Sequence, residues 1–443
     1  MQKPLSDLHR RTLATRRKKV LRSLEGGVAI LKGAPPPIRS HDTEYAYRQD
    51  SDFLYLTGYT APGAACILNP NSSKPFTLFV MPKDPEKEVW TGRRLSFEET
   101  KALFDADEVL DIAVFEEAAY QAMKGARRVF IPFNHDQAFR HTMVDMLHRV
   151  QQELHRVGEP PQGLDPLGAI VHEIRLFKDE FELECMRKAA RISAEAHTLA
   201  MEAARPGMYE YELEALIDYH FRRSGATGPS YLTIVAAGAN ATVLHYVHNR
   251  DRLQSGQLVL IDAGAEVEGY AADITRTFPV DTKFGSSARA LYEVVLRAQK
   301  EVLEAARPGV TFEELHELDV RLLCEGLIEL GLLEEKLETA IESGSYKKYF
   351  MHRTGHWLGL DVHDVGNYRC DGQSRKLQPG MVFTVEPGLY INEEAAVPDE
   401  FRGLGIRIED DVHITDNGAE ILTLGTPKEI KEIEQLREKG FSV

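Results

Sequence analysis

Gly256-Gln-Leu-Val-Leu-Ile-Asp-Ala-Gly264 has an echo further along the chain, Gly380-Met-Val-Phe-Thr-Val-Glu-Pro-Gly388. In each copy a short apolar run of buried-strand type ends in an acid two residues before a glycine. A second pair accompanies the first. Glu202-Ala-Ala-Arg-Pro-Gly207 recurs letter for letter as Glu304-Ala-Ala-Arg-Pro-Gly309, and Glu212-Leu213 recurs in phase as Glu314-Leu315. Each of these closes one helix and opens another. Either match alone is short enough for coincidence. Together they predict a domain of two related α/β halves facing each other, which would bring matching acids to one centre.

Around the first acid, residues 257–262 and 271–278 read as strands joined by a turn near 266–269. Asp262 and Asp273 are equidistant from the midpoint between Val267 and Glu268, so a simple hairpin of that centre sets them opposite each other on one face. Like charges in that position are destabilising, and unpaired buried carboxylates cost several kcal/mol. A divalent cation between them removes the difficulty. Taken alone, the pair fits a solvent-exposed turn about as well.

The second half changes the balance. Glu386 ends the apolar strand 381–385. In Gly405-Ile-Arg-Ile-Glu-Asp-Asp-Val-His-Ile414, alternation puts Ile406, Ile408, Val412 and Ile414 on one face and Arg407 and Glu409 on the other. Between these strands and the first pair lies Met351-His-Arg-Thr-Gly-His-Trp-Leu-Gly-Leu-Asp-Val-His-Asp364, with His352, His356 and His363 close together. Lone histidines are usually structural. Three beside a glycine-rich turn, in a chain with four strand-borne acids, are expected to share a site. Four carboxylates carry about -4 and two divalent ions about +4, leaving room for a bridging hydroxide. Oxygen-rich ligands with one imidazole suit Mn(II), with Co(II), Fe(II) or Zn(II) as the other candidates. Two such ions roughly 3.5–4 Å apart hydrolyse carbonyl or phosphoryl bonds. No HExxH, GxSxG, Walker-type or GxGxxG element competes.

At 443 residues the chain exceeds one ordinary hydrophobic core, and two domains are expected. Residues 1–172 mix short strands (28–31, 66–68, 76–81, 129–132) with helical stretches, and 158–163, Gly-Glu-Pro-Pro-Gln-Gly, is the candidate linker. Residues 173–443 carry the repeats. They begin with a long helix whose apolar face is Phe181, Cys185, Ala189, Ile192, Ala196 and Leu199. A net charge of -16 argues against nucleic-acid or anionic-membrane partners. The basic cluster Arg16, Arg17, Lys18, Lys19 and Arg22 has no apolar run behind it, so it is expected to form a solvated helix, with an organelle-targeting segment as the lesser alternative. Four dispersed cysteines suggest a reducing compartment, and the cytoplasm is the expected location.

The ordered set Asp262, Asp273, His356, Glu386 and Glu409 resembles the five metal ligands of the pita-bread metallopeptidases, and the surrounding segments most resemble the Xaa-Pro aminopeptidases (aminopeptidase P). These segments are Ile261–Gly264, Asp273–Phe278, Gly355–Asp364, Val385–Tyr390 and Gly405–Asp411. Tyr45–Gly58 and Val89–Arg94 are similar to the N-terminal domain of that family, so the resemblance covers nearly the whole chain. It implies an α+β chain of two domains: a creatinase/prolidase-like α/β domain at 1–172, serving substrate access and oligomerisation, and a catalytic pita-bread domain at 173–443. It further implies removal of the first residue from peptides with proline second, by a hydroxide bridging two divalent metals. Asp273 and Glu409 would bridge the ions, and Glu386 would carry a proton. His245 and His363 would serve the substrate pocket and the tetrahedral intermediate. His352, Tyr390 and Arg407 would surround the proline pocket, with Trp90 reaching a neighbouring subunit's site in a homodimer or homotetramer. Arg353-Thr354 departs from the smaller residues usual in that loop, and His248 has no implied role beyond an exposed loop histidine. A prolidase, and a binding module that has lost catalysis, are the competing readings; a creatinase-like amidinohydrolase lacks the five ligands.

Overall fold

A computed structural model describes residues 5–133 and 136–440. The chain divides between Ile174 and Arg175 into two compact units. Among the described residues no helix is long and apolar enough to cross a membrane.

The first unit is built on a six-stranded mixed sheet in the order Glu108–Asp111, Phe76–Val80, Ala65–Leu68, Val28–Lys32, Val129–Ile131, Leu164–Pro166. The four inner strands are the four apolar runs legible in the sequence. The two outermost were not expected, because 108–111 and 164–166 carry few apolar residues. The edge strand Leu164–Pro166 pairs in parallel with Val129–Ile131, so the Pro/Gly stretch 158–163 is a connection within this unit and not the link between units. The basic helix, Asp7–Ser23, is also a correction. Lys18, Lys19 and Arg22 are exposed, but Arg16 and Arg17 are buried. Arg16 donates to the Tyr55 carbonyl (3.2 Å) with its guanidinium over the Tyr55 ring, and Arg17 donates to the Leu56 carbonyl (3.1 Å) over Phe76. Flat guanidiniums can be buried this way because they stack on rings while their N–H groups find carbonyls.

The second unit is two variations on one plan. Helix Glu180–Ala203, opened by a capping box between Asp179 and Glu182, leads through helix Glu210–Arg223 to the sheet Ile234–Ala237, Leu258–Asp262, Thr275–Pro279. Helices Ser286–Ala305 and Phe312–Glu329 lead to the sheet Val382–Val385, Asp410–Thr415, Gly418–Ile421. The repeats hold in detail. Gly207 and Gly309 both take a left-handed φ (+92° and +91°), and their amides donate to Leu253 O and Leu377 O respectively. Gly256 and Gly380 also take a left-handed φ at the second repeat, at +87° and +91°. Matched glycines in a conformation that other residues avoid are what a duplicated backbone needs.

Two strand expectations require correction. The hairpin pairs Asp262 with Thr275, not with Asp273, because its turn runs through Glu268 and Gly269, both at positive φ. The register is thus two residues from the symmetric one, a shift that keeps side chains on the same face. The stretch 405–414 is not one strand. Leu404–Arg407 pairs with Gly388–Ile391, and Asp410–Thr415 pairs with Val382–Val385. Ile406 and Ile408 therefore enter one core, with Phe278 and Leu389, while Val412 and Ile414 enter another, with Trp357 and Phe383. At the handover the Glu409 amide donates to Thr275 O (3.1 Å), joining the two halves.

Candidate metal centre and substrate cavity

All four acids stand at points where a strand ends or breaks. Asp262 is the last residue of its strand, Asp273 lies between two strand segments, Glu386 follows Val385, and Glu409 sits at the handover. There the ladder stops consuming backbone groups and side chains turn into a cavity of about 820 Å³. The same cavity is lined by His245, His352, His356, His363 and Arg407. Ligand atoms of Asp273, His356 and Glu409 all lie within 4.8 Å of one another. His356 Nε2 is 3.4 Å from Asp273 Oδ2 and 3.5 Å from Glu386 Oε1. Its Nδ1 lies 3.0 Å from the Trp357 carbonyl, so that nitrogen carries the proton and Nε2 is left for a metal. Asp262 joins through the Tyr231 hydroxyl, which is 2.6 Å from both Asp262 Oδ1 and Asp273 Oδ1.

The electrostatics ask for cations. Burial pushes the Glu386 carboxyl up to about 7, against the pull of His356 and Arg407, and raises Asp262 and Glu409 as well, against the pull of Arg407. Arg407 donates to Asp262 Oδ2 (2.6 Å), to Thr275 Oγ1 (2.9 Å) and to Tyr390 Oη (3.1 Å). One guanidinium among four carboxylates leaves the pocket negative, and oxygen donors plus one imidazole suit a hard divalent metal.

His352 Nε2 lies 2.9 Å from Tyr390 Oη, and burial together with Arg407 lowers its pKa to about 4, keeping it neutral. The His363 ring meets His356 edge-on at 4.4 Å between centroids. His245 lines the same cavity. His248 is exposed beside Tyr246, outside the cavity lining. Trp90 belongs to the first unit, on the helix Pro85–Thr91, and is 87% exposed. Gly355 is obligatory, since a Cβ there would overlap the Thr384 carbonyl oxygen. Thr354 is buried; its hydroxyl donates to Asp319 Oδ2 (2.7 Å) and sits 2.8 Å from His316 Nδ1. The threonine thus fastens the histidine loop to helix Phe312–Glu329 and does not narrow the cavity.

Sequence reasoning missed Tyr231, Thr275 and Thr384. Thr275 donates to Glu409 Oε2 (2.6 Å), and Thr384 Oγ1 accepts from the His356 amide and donates to Glu386 Oε1. The only signal they gave was a hydroxyl on or beside an otherwise apolar strand.

Residues 184–416 match the family model of metallopeptidase family M24, and residues 13–131 match that of the aminopeptidase P N-terminal domain. The chain belongs to metallopeptidase family M24. It is 42% identical over 440 residues to the Xaa-Pro aminopeptidase of Escherichia coli (strain K12), covering 98% of each chain. Among solved structures, the aminopeptidase PepP of Pseudomonas aeruginosa matches with a TM-score of 0.94 at 42% identity, over 97% of this chain and 98% of that one. An Escherichia coli aminopeptidase P variant in complex with substrate matches at 0.93 and 40% identity, over 99% of both. The two-domain fold expected from the sequence, with its pita-bread second unit, is therefore the aminopeptidase P fold.

Proposed function

We propose that this M24 peptidase hydrolyses the bond between an N-terminal residue and a following proline, using two divalent ions. The observation that carries the reading is the convergence of Asp262, Asp273, His356, Glu386 and Glu409 on one cavity beside the His352–Tyr390–Arg407 cluster. The five residues would hold the ions, and the donor set favours Mn(II). Bound ions supply Lewis acidity and make hydroxide available near neutral pH. The remaining work falls to the chain. His352, held by Tyr390, packs edge-on to Phe350 and offers a neutral, partly apolar surface for the proline ring. His363 and His245 provide ring N–H groups toward the carbonyl oxygen as it gains charge. A prolyl nitrogen has no hydrogen and leaves as a secondary amine, so it must be given a proton. Glu386, whose carboxylate opens on the cavity beside His356, is placed to take the proton from water and deliver it.

The same proposal takes the first unit as the element of substrate access and oligomerisation, in a cytoplasmic homodimer or homotetramer. The exposed Val89 and Trp90 are its support.

The test is hydrolysis of Arg-Pro-Pro, Ala-Pro and Ala-Ala-Ala by metal-free protein with and without Mn(II). Metal-dependent cleavage of the first bond of Arg-Pro-Pro, with Ala-Ala-Ala untouched, is expected. Cleavage of Ala-Pro alone would make it a dipeptidase, and no turnover of either would leave a binding module.

A further inference from the structure

The cavity is also lined by three charged residues that this chemistry does not use: Glu313, Arg353 and Arg369. Arg353 reaches Glu313 with both terminal nitrogens, Nη2 to Oε2 at 3.1 Å and Nη1 to Oε1 at 3.4 Å. Arg369 Nη1 stands 3.9 Å from the same Oε2. The Glu313 amide donates to Ser374 Oγ (3.3 Å), and Ser374 pairs with Arg369 across the ribbon Arg369–Cys370/Gln373–Ser374. Two guanidiniums therefore share one carboxylate, and the trio keeps one net positive charge. The arginine side chains are 52% and 62% exposed, and ion pairs that wet contribute little to stability. Fold maintenance does not account for them. Arg353 directly follows His352, and both line the same cavity as Arg369.

We propose that Arg353 and Arg369, braced by Glu313, form a carboxylate-recognition site for the residue that follows proline. The inference rests on the Xaa-Pro reading and adds a substrate preference to it. Guanidinium forks bind carboxylates through paired, charge-assisted hydrogen bonds, and one glutamate cannot neutralise two of them. The carboxylate is either the C-terminus of a tripeptide or an acidic side chain at the third position.

The experiment measures kcat and KM of the Mn(II)-loaded enzyme for Ala-Pro-Ala, Ala-Pro-Ala amide and Ala-Pro-Asp amide. The same peptides are given to an Arg353→Gly/Arg369→Ala double variant shown to be folded by its thermal transition. The wild type is expected to prefer a carboxylate-bearing peptide over the neutral amide by about tenfold in kcat/KM, carried mainly by KM. That preference should shrink as salt is raised. Preference for the free acid alone assigns the site to the chain terminus; preference for both acids assigns it to any carboxylate. The double variant should treat the three peptides alike. Equal use of all three by the wild type, or a preference that survives in the double variant, overturns the proposal. A double variant that does not fold is replaced by Arg353→Gln, for which the same loss of preference is required. Failure of the wild type to cleave any of the three peptides is a different result: it removes the aminopeptidase reading, and this inference with it.

Discussion

Three consecutive acids, Glu409, Asp410 and Asp411, have three different fates. Glu409 faces the cavity. Asp410 is wholly buried and neutralised, taking hydrogen bonds from Arg276, Gln299, Lys428 and Thr423. Asp411 accepts from the Asp273 amide at 3.2 Å. Alternation puts both Glu409 and Asp411 in parity with Arg407 and sets only Asp410 apart, and that was as far as the letters went. The partners of Asp410 lie between 13 and 134 residues away, which no local pattern reveals. The acids were readable because charge on an apolar strand is costly, and His356 because it stands with two other histidines beside a glycine-rich turn; Tyr231 and Thr384 were not, because a hydroxyl there is cheap. This cost argument also predicts an inversion. Asp273→Asn should lower kcat/KM beyond the roughly 100-fold typical of losing a hydrogen-bond partner of a metal ligand. In chelator the same variant should melt no lower than wild type, since Asp273 is a leading source of repulsion on Glu409. A large drop in the melting temperature of the metal-free variant would contradict this account.

Elements were legible in kind and less so in their joints. The long helix and the inner strands follow from periodicity, whereas the hairpin register depends on two residues at positive φ, and the break at Ile408–Glu409 depends on which partner strand lies alongside. One joint has a measurable pH signature. Glu420, on the strand Gly418–Ile421, takes a bidentate pair from Arg187 of the long helix (2.7 Å each) and a contact from His413 Nδ1 at 2.8 Å. Arg187 first, with help from His413, holds the carboxyl down at about 2, against an ordinary 4.5. A depressed carboxyl pKa stabilises above the unfolded value and loses that contribution as pH falls through the folded one. Glu420→Gln is therefore expected to lower the melting temperature most above pH 4.5, with the difference from wild type closing as pH falls toward 2. The effect should be modest, because the pair is partly exposed. A difference that widened on acidification would refute the assignment.

On the scale of the whole molecule, the sequence repeats were a better guide than any single motif. They announced two halves, and the halves meet where Glu409 N reaches Thr275 O. Each half brings acids to the meeting point: Asp262 and Asp273 from one, Glu386 and Glu409 from the other. Ions bound there favour the folded state by mass action, by about 2.7 kcal/mol at a hundred times Kd. Calorimetry of the metal-free protein should accordingly show the transition of the second unit rise by about 5–10 °C at that excess of Mn(II). A transition indifferent to metal would mean that the acids do not hold it. The positions of those acids also bear on how the unit comes together. They lie far apart in sequence, so a shared ion closes a long loop and acts as a detachable cross-link. Without it, the seam between the halves is lined by like charges that push them apart. A newly made chain starved of metal would then be inactive and also poorly zipped along that seam, which makes ion supply a checkpoint on assembly as well as on catalysis.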